Sequence, residues 1–170
     1  MATPNQTTEP WMSGTLAGLH PLVAAILYSF QHARLDLGAW TKNLSDAQLS
    51  LSELGLAPVS FHIRHIAGSV DRLLTYARGE QLSPLQIAAI KGEAESGLGR
   101  GELLKLIDGS FGRAEVVLRS LDPACLGETR EIGRKRFPVP LGTLLVHIAE
   151  HTQRHVGEAI ITAKVMLSPR

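Results

Sequence analysis

Four separate stretches of this chain repeat their apolar residues at spacings of three, four and seven, which marks one buried face of an α-helix rather than the two-residue alternation of a strand. The first runs from Thr15 to Leu44 through Leu19, Leu22, Val23, Ile26, Phe30 and Leu37, and the second from Val59 to Gly79 through Ile63, Ile66, Val70, Leu73 and Leu74. The third, Glu102 to Leu121, carries Leu103, Leu104, Ile107, Phe111, Ala114, Val117 and Leu118, and the fourth spans Leu141 to Leu167. Amphipathic helices of such length bury their faces on one another. The predicted fold is therefore all-α: an antiparallel four-helix bundle with one longer crossover near residues 80 to 101. Within that crossover Ser83-Pro84 offers an N-cap followed by proline at the first helical position, predicting a short extra helix. It fades into Gly97-Leu98-Gly99-Arg100-Gly101, read as a mobile linker. Residues 129 to 139 alternate weakly about Gly133 and suit a small hairpin or an exposed loop, with Arg134-Lys135-Arg136 as a solvated charge run.

With 170 residues, one domain is expected, covering 15–168 after a flexible N-terminal segment, 1–14. Hydrophobic residues make up 44% and aromatics only 5%, so aliphatic side chains must fill the core, and global disorder is excluded. Lys and Arg number 17 against 16 Asp and Glu, and the resulting net charge of +1 gives no grip on nucleic acid or an anionic membrane. Neither partner is expected. Apolar runs such as Leu22 to Tyr28 fall far short of the roughly 20 residues of a membrane span. Met1 to Pro10 lacks the basic and apolar regions of a secretory signal, and the lone cysteine, Cys125, agrees with a reducing compartment. A cytoplasmic location is the expectation.

Three of the seven histidines, His147, His151 and His155, follow one another at four-residue intervals on the fourth helix. Such neighbours lie about 40° apart around the axis and about 6 Å along it, so an adjacent pair can share one ligand. Taking Ile148 as the centre of a stripe that also holds Leu141, Leu144, Ala159 and Met166, His155 falls about 20° away, His151 about 60° and His147 about 100°. His151 and His155 therefore face inward and His147 sits at the edge. Inward imidazoles must be hydrogen-bonded or bind something. On the second helix, Phe61, His62, His65, Ser69, Arg72 and Tyr76 form a polar face with His65 in its middle, which read alone is one wet side of a helix.

The stretch Phe61-His62-Ile63-Arg64-His65-Ile66-Ala67-Gly68-Ser69-Val70-Asp71-Arg72 resembles the second-helix signature of the DinB-like (damage-inducible) four-helix-bundle proteins, whose fold is also called YfiT-like. His147-Ile-Ala-Glu-His151-Thr-Gln-Arg-His155-Val-Gly157-Glu158 resembles that family's last-helix signature, with Glu158 in place of the usual Gln. In that family three histidines, one from the second helix and two from the last, bind a single divalent metal, usually zinc or nickel. Carried onto this sequence, the ligands would be His65, His151 and His155, with His62 and His147 in reserve. Three neutral imidazoles leave coordination positions open, as in a catalytic site.

The resemblance also implies chemistry. Characterised relatives include transferases that use low-molecular-weight bacterial thiols such as bacillithiol or mycothiol, so the expected partner is a small-molecule thiol or electrophile. Coordination lowers a thiol's pKa and makes the nucleophilic thiolate available at neutral pH. Arg72 and Tyr76, further along the helix from His65, are candidates to line the pocket and meet an anionic substrate group, although Arg72 could equally snorkel or pair with an acid. The rival reading is a non-catalytic, metal-binding stress-response bundle; a homodimer is compatible with either. Other sites fit poorly. The residues three before His65, His151 and His155 are His62, Ile148 and Thr152, so the Glu-x-x-His pairs of a di-iron site are missing, and so is H-E-x-x-H. Cys125 reads as an ordinary thiol, and the glycines of 97–101 lack the Lys-Ser/Thr ending of a phosphate loop.

Overall fold

In the computed structural model, which describes residues 8–95 and 97–169, the helices begin and end where backbone chemistry permits. The apolar pattern that starts at Thr15 becomes helical only at Pro21. A proline suits a first turn, where its missing N–H has no partner to lose, and the His20 ring caps the end by accepting from the Leu22 N–H. Helix α1 is accordingly Pro21–Trp40, shorter than predicted, although Leu16 and Leu44 beyond its ends are still buried. Ser45-Asp46 interrupts the long pattern but opens a single turn, α2 (Asp46–Leu49), through reciprocal Ser45–Gln48 bonds. Helix α3 (Val59–Ala77) gives way to Gly79, whose φ of 79° side chains rarely adopt.

Helix α4 (Pro84–Gly92) starts as predicted, with a Ser83 capping box and Pro84 in its first turn. Helix α5 (Arg100–Arg119) begins inside the stretch read as linker, because Glu102 reaches back to accept from the Gly99 N–H. A 3-10 turn, Pro123–Gly127, then leads to the hairpin of β1 (Thr129–Ile132) and β2 (Phe137–Pro140), the first of the two alternatives for that segment. Helix α6 is Leu141–Leu167, with the predicted bounds. A further 3-10 turn, Pro10–Met12, packs on α1 within the segment expected to be flexible, while residues 1–7 of that segment lie outside the described residues. Among the described residues, no helix is long and apolar enough to cross a membrane.

Cross-helix contacts fix the directions. Ser29 meets Gln153 and Trp40 meets Lys164, so α1 and α6 run parallel. Phe30 stacks on Phe111 at 4.3 Å and Gly38 meets Arg100, so α1 and α5 are antiparallel. Ala57 meets Thr162 and His65 meets His151, so α3 and α6 are antiparallel. It follows that the neighbours α3 and α5, tied by a 2.9 Å bond from Ser110 Oγ to the Ala67 carbonyl, run parallel. The expected antiparallel arrangement thus holds for two of these neighbouring pairs, and the other two are parallel.

A parallel pair explains the long crossover. The chain must return the length of the 19-residue α3, about 28 Å, before α5 can start. Helix α4 makes that return against α3, and Arg64 anchors its far end by donating to the carbonyls of Gly92, at 3.2 Å, and Glu95. With α6 on one side and the crossover on another, His62, Arg64, Ser69 and Tyr76 are all buried. The wet face expected for this helix is therefore corrected: other elements cover it.

Candidate metal centre

The antiparallel crossing of α3 and α6 places His65, from the middle of α3, against His151 and His155. His65 Nε2 and His151 Nε2 lie 2.9 Å apart, and the His155 ring stands 4.4 Å from that of His65 and 4.6 Å from that of His151. The stripe that orients α6 is as predicted, since Leu141, Leu144, Ile148, Ala159 and Met166 are all buried. Exposure follows the predicted angular order at its ends: the His155 side chain is 13% exposed and that of His147 46%. Phe61 stacks on the His65 ring, with centroids 5.5 Å apart.

A residue that the sequence reading did not single out holds His65. Glu93, one residue beyond α4, places Oε2 2.7 Å from His65 Nδ1 and pairs through Oε1 with Arg72. A carboxylate can only accept, so Nδ1 is the donating nitrogen of His65 and Nε2, facing His151, is the one left for the centre. Burial works to raise the pKa of Glu93, but the hydrogen bonds from His65 and Arg72 outweigh it and keep the group below the ordinary carboxylate range. Gly68 makes this possible: a Cβ there would fall on Glu93 Oε1 and Arg72 Nη1.

On the other side of the centre, Glu158 Oε2 lies 2.9 Å from His155 Nδ1 and 3.3 Å from His62 Nδ1. His155 thereby has its Nδ1 engaged, with Nε2 as the nitrogen left for the centre. Burial lowers the pKa of His62, His151 and His155, and neighbouring imidazoles lower each further; Glu158 opposes the shift at His62 and His155. For His151 the largest influences, burial first and then the neighbouring imidazoles, all push the same way, to a pKa of about 4. These rings are held neutral, the state in which imidazole binds metal.

The remaining predicted residues are distributed as follows. His62, a reserve ligand, is buried beside His155, with the two Nδ1 atoms 3.1 Å apart. His147, the other reserve, is half-exposed, bonds Glu150 at 3.2 Å and has its ring 5.5 Å from that of His151. Arg72 is committed to Glu93, the acid-pairing alternative. Tyr76 is buried in the core cluster rather than brought against the histidines. Glu128, close by in sequence, raises the pKa of Cys125 and so disfavours the thiolate.

The donor set suits a metal ion. Ligand atoms bound at 2.0–2.1 Å to a tetrahedral ion lie about 3.3 Å apart, so the 2.9 Å between the facing Nε2 atoms needs only a slight opening. Neutral imidazoles with their outer nitrogens on carboxylates are the arrangement that orients metal-binding histidines. No curated protein matches the chain in sequence. The family model of the DinB superfamily matches residues 29–159, a span that runs from α1 to α6 and contains every histidine of the cluster. The chain belongs to the DinB superfamily. The matched span of this DinB chain also contains Glu93 and Glu158, which lie outside and at the end, respectively, of the two motifs that carried the resemblance.

Proposed function

We propose that the chain is a metal-dependent enzyme that binds one divalent ion, zinc or nickel, at His65, His151 and His155 and activates a low-molecular-weight thiol for transfer to an electrophile. The observation that carries the reading is the convergence of the three imidazoles, with His65 fixed by a buried carboxylate. A bound divalent ion would supply Lewis acidity, lowering the pKa of a thiol or water held beside it. Glu93 holds the His65 proton on Nδ1, Glu158 holds that of His155, and Phe61 covers the His65 ring. A set of three protein ligands leaves room for an exogenous sulfur, whereas structural zinc sites are commonly closed by four protein ligands.

Cobalt substitution tests this. Full-length protein reloaded with cobalt should show a change in its visible spectrum on adding thiols, and His65→Ala, His151→Ala and His155→Ala should each lose most bound metal while His32→Ala keeps it. A cobalt spectrum indifferent to a panel of thiols, together with unfolding of the metal-free chain, would favour the non-catalytic bundle.

A further inference from the structure

Beside the three-histidine centre lies a second group with ligand chemistry: His62 Nδ1, His155 Nδ1 and Glu158 Oε2. Its edges are 3.1 Å between the two nitrogens, 2.9 Å from His155 to Glu158 and 3.3 Å from His62 to Glu158. Those lengths lie close to the about 3.3 Å that separates neighbouring ligand atoms on a tetrahedral first-row ion. The His62 side chain is only 6% exposed, so packing fixes its orientation before any ion arrives. Glu158 is 49% exposed and brings a negative charge as a direct ligand, which none of the three histidines of the first centre supplies. A cavity of about 520 Å³, with His62 and Glu158 in its wall, gives an ion a way in and leaves room for water to complete its shell. Arg154 also lines that cavity, but its guanidinium is turned to Glu150.

We infer that this trio is a second divalent-cation site, joined to the first through the two nitrogens of His155. It depends on the three-histidine reading only through that shared ring. A state with both ions bound requires the His155 ring to release its remaining N–H proton to solvent, so one ion binds tightly and the other more weakly. The donor set of two imidazoles and one carboxylate suits cobalt, nickel or zinc better than calcium or magnesium, which favour all-oxygen shells.

The test is a cobalt titration of the metal-stripped full-length chain, followed by calorimetry and visible absorption. Two equivalents are expected for the unaltered protein. Glu158→Gln, an isosteric change at a half-exposed position, and His62→Ala should each lose the weaker equivalent and still bind one ion, Glu158→Gln with that remaining affinity lowered about 10- to 100-fold because His155 loses its carboxylate partner, and with helix content unchanged by circular dichroism. His65→Ala should lose the tighter equivalent and keep one at the trio. Saturation at a single equivalent in the unaltered protein would overturn the second site, and so would two equivalents surviving in Glu158→Gln; either result leaves Glu158 as a hydrogen-bond partner of His155 alone. If His65→Ala left a two-equivalent titration untouched, the three-histidine reading would fail while the trio stood.

Discussion

An imidazole can present only one nitrogen to a shared centre, and what claims the other decides which. At His65 that claim is the Glu93 carboxylate on Nδ1, 2.7 Å away, and the position of Glu93 depends in turn on Arg72 and on the missing side chain of Gly68. Gly68→Ala would put a methyl group where Glu93 Oε1 and Arg72 Nη1 now lie. Both are ends of flexible side chains, so the helix should tolerate the change while the carboxylate swings away from His65. The expected outcome is a loss of about 10- to 100-fold in metal affinity, the usual cost of removing an outer hydrogen-bond partner, with little change in thermal midpoint. Glu93→Gln should weaken binding in the same range. Competition with a chromophoric chelator, run beside a thermal melt, checks both. A methyl at Gly68 that lowered the melting temperature strongly and left metal affinity intact would contradict this role.

Helix boundaries were legible in the sequence wherever one apolar stripe ran without interruption. Helix α6 keeps its stripe from Leu141 to Met166, and its bounds agree with the pattern; α1 does not, because proline chemistry at Pro21 and the cap at Thr41 cut a longer apolar repeat. The candidate ligands were legible for a related reason, since histidines at helical spacing share a face whatever the rest of the fold does. Glu93 was not, because it lies 28 positions from His65 in a crossover whose own helix buries no residue and so carries no periodic mark of where it docks. The available signal was on the partner helix: a glycine inside α3, three residues after His65, points to a close approach by another element. The stacking of Phe30 on Phe111 joins α1 to α5 at the heart of the bundle, both rings being almost wholly buried. Phe111→Ala should therefore cost about 3–5 kcal/mol. On α4, where Leu85 is 82% exposed, Leu85→Ala should stay within about 0.5 kcal/mol of neutral. Denaturant unfolding of the two variants should separate them by several-fold in midpoint shift.

Across the whole chain, acid links the histidine cluster to stability with a definite sign. His62, His151 and His155 are all pushed below the ordinary 6.5, and His151 reaches about 4. Between those values the unfolded chain binds protons that the folded chain refuses, so stability rises with pH in that window and is lost as pH falls from about 6.5 toward about 4. Glu93 adds a second, more acidic window: its lowered pKa contributes stability above the ordinary 4.5 that disappears as pH falls through the folded-state value. A divalent ion on neutral imidazoles adds its own stabilisation at about pH 8, and protons remove it over the histidine window. Thermal melts should be recorded from about pH 8 to about pH 4, once with chelator and once with zinc. The chelated midpoint should begin to drop below about pH 6.5, and His151→Ala should flatten that drop. The zinc curve should start higher and converge on the chelated one as acid displaces the ion. A chelated midpoint that stayed level across this range, or a zinc increment that survived at the acid end, would mean that the histidines neither resist protonation in the folded chain nor hold the metal.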